Sequence, residues 1–302
     1  MRLLAAAAAA ALAAGAPRAP LELTGYVCAT CPSTPDPSAL LASLHPAYTT
    51  IVFAFAGFDG SGAVLNQYDA PDKAFALNAS VVAALRARGV KRVALSVGGG
   101  AGSPLPAPLP SGFAAALLTG LSALVTDFGL DGVDFDLENF PGAVADIVAA
   151  AAAVRAVAEG LRAAHPGIVL SAAPQMTDAY CDYASVTSGF NRYAPLLAPP
   201  AVFDVVMPQM YNAWSGVETL AYARTYAGEL VAGCAVGPYN VSVARAALRL
   251  GYPASPSAAG SGFLPPAGVA ALARALNVSL MTWDCGWDER AGWAFASAVA
   301  AA

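Results

Sequence analysis

Short runs rich in β-branched and aromatic residues alternate along this chain with alanine-rich segments of helical character. The runs fall at 21–27 (LELTGYV), 49–58 (TTIVFAFAGF), 91–99 (KRVALSVGG), 130–138 (LDGVDFDLE), 168–174 (IVLSAAP), 203–212 (FDVVMPQMYN), 248–255 (LRLGYPAS) and 278–287 (VSLMTWDCGW). Most are near-continuously apolar, as expected of parallel strands covered on both faces rather than of half-solvated ones. Helices are predicted between them, for example over 79–89, 111–129 and 142–167, the last ending in a His-Pro-Gly stop.

Eight strands alternating with helices predict βα units and a parallel sheet. Eight units within a chain of 302 residues suit a single-domain α/β fold, the closed (β/α)8 TIM barrel, which takes about 250 residues. The alternative is an open doubly wound sheet. Its phosphate fingerprint after the first strand is missing, and the glycine-rich SVGGGAGS at 96–103 follows the third strand without a phosphate-binding lysine. No internal linker or second domain is evident; the Pro-rich stretch 101–112 reads as a loop.

One run breaks the apolar rule. DGVDFDLENF, at 131–140, carries Asp131, Asp134, Asp136 and Glu138. Strand alternation puts Asp134, Asp136 and Glu138 on one face and Phe135 and Leu137 on the other. In a barrel the first face is the interior, and Glu138 reaches the C-terminal mouth where barrel active sites lie. Ionised carboxylates are costly to bury together, so some must keep a proton or be strongly hydrogen-bonded, and Asp134 and Asp136 stand close enough to share one. A metal site would need further oxygen ligands from other strands, and only Asp284 offers one. A solvated acidic edge leaves Phe135 and Leu137 unexplained. The ladder therefore predicts acid–base catalysis. All three acids stand on one side of any bound sugar, whereas ordinary glycosidases flank the scissile bond with two carboxylates. A nucleophile supplied by the substrate's own 2-acetamido group is the known exception.

Composition narrows the partners. Charged residues are 12% of the chain, Lys and Arg number 15, and the formal net charge is -5, which disfavours nucleic acid. The hydrophobic fraction of 57% is inflated by alanine. Residues 1–20, with Arg2 before an apolar run and small residues after it, read as a secretory signal peptide rather than a membrane span. Three N-glycosylation sequons, at Asn78, Asn240 and Asn277, fit secretion. The five cysteines are Cys28, Cys31, Cys181, Cys234 and Cys285. Their odd number leaves at least one unpaired within the chain, and the pairing is not readable. CATC at 28–31 reads as a structural disulfide or a plain loop. The two histidines lack metal-ligand spacing, so neither metal nor other cofactor is expected.

DGVDFDLE resembles the DGxDxDxE signature of glycoside hydrolase family 18, the chitinase family, with Asp131, Gly132, Asp134, Asp136 and Glu138 all in place. SVGG at 96–99, SAAPQ at 171–175, QMYN at 209–212, the 250–266 segment and TWDCGWD at 282–288 resemble the family's other strand motifs. The resemblance implies a catalytic barrel over 21–302, with Glu138 as acid and then base and Asp136 steadying the acetamido nitrogen. Asp134 would share charge with Asp136, and Tyr211 would bind the acetamido oxygen. Gln209 and Asn212 would line the pocket, and Trp283 would floor the sugar. Tyr26 and Ser96 would support the aspartates, and Gly98 and Gly99 belong to the third-strand motif. Gln-Met-Tyr-Asn is closer to the plant class III type than the Met-x-Tyr-Asp of many members. The insertion found in many members between strands seven and eight is absent, so an open groove is expected. The implied activity is that of a secreted, monomeric chitinase acting on chitin or N-acetylglucosamine oligosaccharides, with no membrane attachment once the signal is removed. The alternatives are an endo-β-N-acetylglucosaminidase acting on N-glycans and a non-catalytic chitin-binding lectin.

Overall fold

The computed structural model describes residues 20–66, 75–100, 102–214 and 216–302. The signal-peptide expectation for 1–20 lies outside these residues, save for Pro20. Eight parallel barrel strands follow in chain order: β1 (Leu23–Cys28), β2 (Tyr48–Phe58), β3 (Arg92–Gly98), β4 (Gly132–Asp136), β5 (Val169–Ala172), β6 (Val205–Val206), β7 (Arg249–Pro253) and β8 (Ser279–Trp283). The sheet runs β7-β8-β1-β2-β3-β4-β5-β6. Parallel bridges Val206↔Leu248 and Gln209↔Gly251 join its two ends. Backbone bonds there, Met210 N to Gly251 O and Gly251 N to Pro208 O at 2.9 Å each, turn the sheet into a ring. The fold is the expected (β/α)8 barrel.

Each predicted run overlaps its strand; the first strand runs one residue further, to Cys28, the second starts one residue earlier, at Tyr48, and the other six are trimmed. The sixth shrinks most: it runs only over Val205–Val206, and Pro208 beyond it has no N–H to extend the ladder. The eighth was predicted through 287, but it stops at Trp283. Asp284 there caps a short helix over Cys285–Arg290, its side chain accepting from Trp287 N.

Helices α1 (Pro37–Ser43), α2 (Ala79–Ala87), α3 (Phe113–Phe128) and α4 (Val144–Ala164) follow β1 to β4. Gly129 ends α3 with φ 66°, a left-handed cap that L side chains disfavour, and Leu130 N bonds back to Val125 O. The outer core lies between strands and helices, where Val133, Phe135 and Leu137 meet the apolar faces of the helices. The barrel interior is a separate, smaller cluster built largely from small side chains and methionines: Tyr26, Cys28, Val52, Ala54, Ala94, Ala173, Val205, Met207 and Met281. Small interior residues leave room for the acids of β4. Only one helix, Pro266–Leu276, separates β7 from β8.

Two disulfides, Cys28–Cys31 and Cys181–Cys234, leave Cys285 as a buried free thiol. CATC is thus a disulfide. All three sequon asparagines are exposed. No helix among the described residues is long and apolar enough to cross a membrane.

Candidate active site

Register decides what surrounds the ladder. Ser96 on β3 and Ser171 on β5 both lie level with Asp134, and Gly98 lies level with Asp136. Hydroxyls therefore flank Asp134 from both neighbouring strands. Ser96 and Tyr26 each donate to its Oδ2 at 2.7 Å, and Ser171 donates to Oδ1 at 2.6 Å. Full burial raises the Asp134 pKa, while these three bonds pull it back. One layer higher, Asp136 is only 4% exposed. Its Oδ1 accepts from Gln209 Nε2 at 2.8 Å. Burial pushes its pKa well above the usual carboxylate range, and the negative charges of Glu138 and Asp134 push it further. A hydrogen bond to Glu138 adds to that shift, and Gln209 opposes it. Burial and its acidic neighbours therefore favour the protonated form of Asp136.

Glu138 stands two residues beyond the strand, half-buried at the mouth. Gln175 Nε2 donates to its Oε2 at 2.7 Å and Gln209 Nε2 to its Oε1 at 3.3 Å. Above it opens a cleft of ≈ 350 Å³ whose only acidic lining residues, among the described residues, are Asp136 and Glu138. Trp283 and Phe55 stack at 5.7 Å and 21°, and Tyr26 tilts against Trp283 at 5.7 Å. They form an aromatic floor suited to the apolar face of a pyranose. Tyr211 and Asn212 form part of the wall, and the Cys28–Cys31 bridge forms another part. Burial, and after it the nearby acids, raises the Tyr26 and Tyr211 pKa values, so both phenols stay protonated and able to donate. Gly98 and Gly99, at φ 116° and 87°, let β3 turn across β4. A Cβ on Gly98 would strike the Asp136 carbonyl, and Gly99 N donates to that oxygen at 2.7 Å.

The glycosyl hydrolases family 18 model matches residues 25–256, most of the chain and all of the acid ladder. The chain belongs to glycosyl hydrolases family 18. It is a glycosidase, an enzyme that hydrolyses glycosidic bonds. Among solved structures, the chain is similar to a family 18 chitinase from Chromobacterium violaceum, at 24% identity over 94% of this chain and 84% of that one, TM-score 0.77. A family 18 chitinase from Pseudoalteromonas aurantia matches at 19% identity over 93% and 99%, TM-score 0.68. A fungal endo-β-N-acetylglucosaminidase of family 18 matches at 18% identity over 92% and 97%, TM-score 0.63. No curated protein matches the chain.

The residues that the family resemblance singled out converge on one end of the barrel. Glu138, Asp136, Tyr211, Gln209, Asn212, Trp283 and Gly98 line the cleft. Tyr26, Ser96 and Asp134 lie beneath them, and Gly99 packs against Phe55. Asn212, with φ 53°, turns its Oδ1 to Gly260 N at 2.8 Å, away from the acids and toward the loop after β7. Asp131 serves the opposite end: it pairs with Arg86 at 2.7 Å and accepts from Val93 N at 2.9 Å. Asp284 is committed to Ser33 Oγ at 2.7 Å and to Trp287 N.

Sequence reasoning missed Phe55, Ser171 and Gln175 as site residues, along with the buried pair Asp178 and Arg192. Ser171 lies on β5 and Gln175 three residues beyond its end, both within a recognised motif, and counting alternate positions from Ser171 places both of them inward. Asp178 and Arg192 lie in a loop and carry no periodic signal.

Proposed function

We propose that this family 18 enzyme is a secreted chitinase that cleaves β-1,4-linked N-acetylglucosamine polymers with retention of configuration. The observation that carries the reading is that, among the described residues, both acids lining the cleft stand on the β4 side and no carboxylate faces them. With both acids on one side of the bound sugar, the substrate's acetamido oxygen attacks the anomeric carbon. Asp136 and Glu138 share one proton. When the acetamido N–H donates to Asp136, the carboxylate form of Asp136 is favoured and the shared proton sits on Glu138. Glu138 delivers it to the departing glycosidic oxygen, and the acetamido group closes to an oxazolinium ion. Tyr211 hydrogen-bonds the acetamido group, and the floor of Trp283 and Phe55 holds the ring above the acids. Glu138, now a carboxylate, takes a proton from a water molecule that attacks the anomeric carbon. Two inversions give net retention. Asp134, held by three hydroxyls, keeps its place beneath the pair.

The two disulfides support an oxidising, extracellular setting, as does the N-terminal segment if it acts as a signal. A second reading is endo-β-N-acetylglucosaminidase activity on N-glycans. It is favoured by the similarity to the fungal endo-β-N-acetylglucosaminidase.

Hydrolysis of N-acetylchitohexaose, with product anomers followed by NMR, tests the reading. Cellohexaose and a high-mannose N-glycan serve as counter-substrates and Glu138→Gln as control. Release of the β-anomer first, from the chitin oligomer alone and lost in the variant, is the expected outcome. Turnover of the N-glycan alone moves the enzyme to the second reading. Binding without cleavage by the wild type means that the site is a lectin.

A further inference from the structure

Behind the acid ladder lies a polar brace that the reaction above does not use. Arg192, in the loop after β5, forks onto the fully buried Asp178: Nε to Oδ1 at 2.5 Å and Nη2 to Oδ2 at 2.8 Å. The same Nη2 donates to Gln175 Oε1 at 3.1 Å, and Nη1 donates to the Glu138 carbonyl oxygen at 2.9 Å. A guanidinium only donates, so it holds the oxygen end of the Gln175 amide. The nitrogen end is thereby aimed at Glu138, where it donates to Oε2 at 2.7 Å. Arg192 also lies over Phe140, 5.2 Å from the ring centroid, and Phe140 stands edge-on to Tyr193. The Tyr193 hydroxyl accepts from Leu137 N and donates to Phe135 O, at 2.8 Å each, and so spans Asp136.

Stability alone is a weak reason for such a device, because a buried ion pair is often replaceable by apolar residues at no loss. Its geometry is directed at one group. Arg192 touches Glu138 twice, once through its backbone and once through Gln175.

We propose that Asp178, Arg192 and Gln175 form a positioning chain that fixes how the Glu138 carboxyl group is held and when it gives up its proton. The proposal rests on Glu138 being the general acid. Burial pushes the Asp178 pKa up to about 6 against the pull of Arg192, so the ion pair is intact at neutral pH. Among the described residues, the other titratable groups facing Glu138 are Asp136 and Asp134 from β4 and Tyr211 from the β6 end. All of them are retained in the variants below.

The test is steady-state kinetics across pH, on whichever substrate the wild type turns over, for Gln175→Met, Gln175→Glu, Arg192→Lys and Glu138→Gln. Gln175 is half-buried, three residues beyond the C-terminal end of β5, so its variants spare the core. Gln175→Met is expected to lower kcat about 10- to 100-fold with KM within about twofold. Gln175→Glu sets a negative charge against Glu138 and is expected to move the basic limb of the profile upward by about one pH unit. Arg192→Lys keeps the charge and loses the fork, and is expected to resemble Gln175→Met. A merely structural role moves melting temperature and leaves the limb where it was. Wild-type kcat and an unmoved basic limb in both Gln175 variants, beside an inactive Glu138→Gln, overturn the positioning chain alone. An active Glu138→Gln overturns the acid assignment, and the chain with it.

Discussion

Asp134 has no exposed surface, yet it tolerates its place because three hydroxyls reach it from β1, β3 and β5. Removing one donor leaves part of a buried carboxylate unsatisfied. Ser171→Ala is therefore expected to lower the unfolding free energy by about 1–2 kcal/mol, read by urea denaturation at neutral pH. At this scale the acids were legible and their partners were only partly so. Period-two alternation among apolar residues exposes the ladder directly in the sequence. Both Ser96 and Ser171 lie in family-like motifs, but only Ser96 is expected to support the aspartates, and Ser171 gains its role when register sets it level with Asp134. Gln175 and Arg192 contact Glu138 from 37 and 54 residues away, a separation at which local pattern says nothing about proximity.

Among the elements, the loop after β5 does the most. It carries Asp178, Arg192 and Tyr193, and the Cys181–Cys234 bridge ties it to residues 53 positions along the chain. Replacing both cysteines with alanine is expected to cost about 2–4 kcal/mol, seen as a lower melting temperature than wild type under non-reducing conditions. At the other side of the barrel Asn78 caps α2, accepting from Ser80 N and Val81 N at 2.9 and 3.2 Å. Asn78→Ala is expected to cost about 1 kcal/mol, measurable by the same thermal scan. The strands themselves were legible because burial on both faces makes them continuously apolar. Their ends were not. Pro208 truncates the sixth by chemistry that an apolar run conceals, and Asp284 converts the tail of the eighth into a helix start. The irregular segment around the Asp178–Arg192 pair was unreadable because it obeys neither the helix nor the strand period.

The whole barrel carries an electrostatic cost centred on Asp136. In the folded chain Asp136 keeps its proton at a pH where the unfolded chain has released it. The folded state then binds more protons, so this contribution to stability is complete below about pH 4 and is lost as pH rises toward the raised value. Asp136→Asn resembles the protonated form and removes the effect. The wild type is expected to lose stability relative to Asp136→Asn as pH climbs above about 4, in unfolding curves taken across pH, while the variant loses hydrolysis. Closure of the barrel also settles the fate of the odd cysteine. Two bridges consume four of the five, and Cys285 has no exposed surface, packed beneath Tyr48 and the bare backbone of Gly25. A thiol-reactive dye should therefore stay colourless on intact enzyme and report one equivalent after denaturation without reductant. For anyone producing this enzyme in a foreign host, that difference is a quality assay: colour before denaturation marks a batch in which a bridge failed to form.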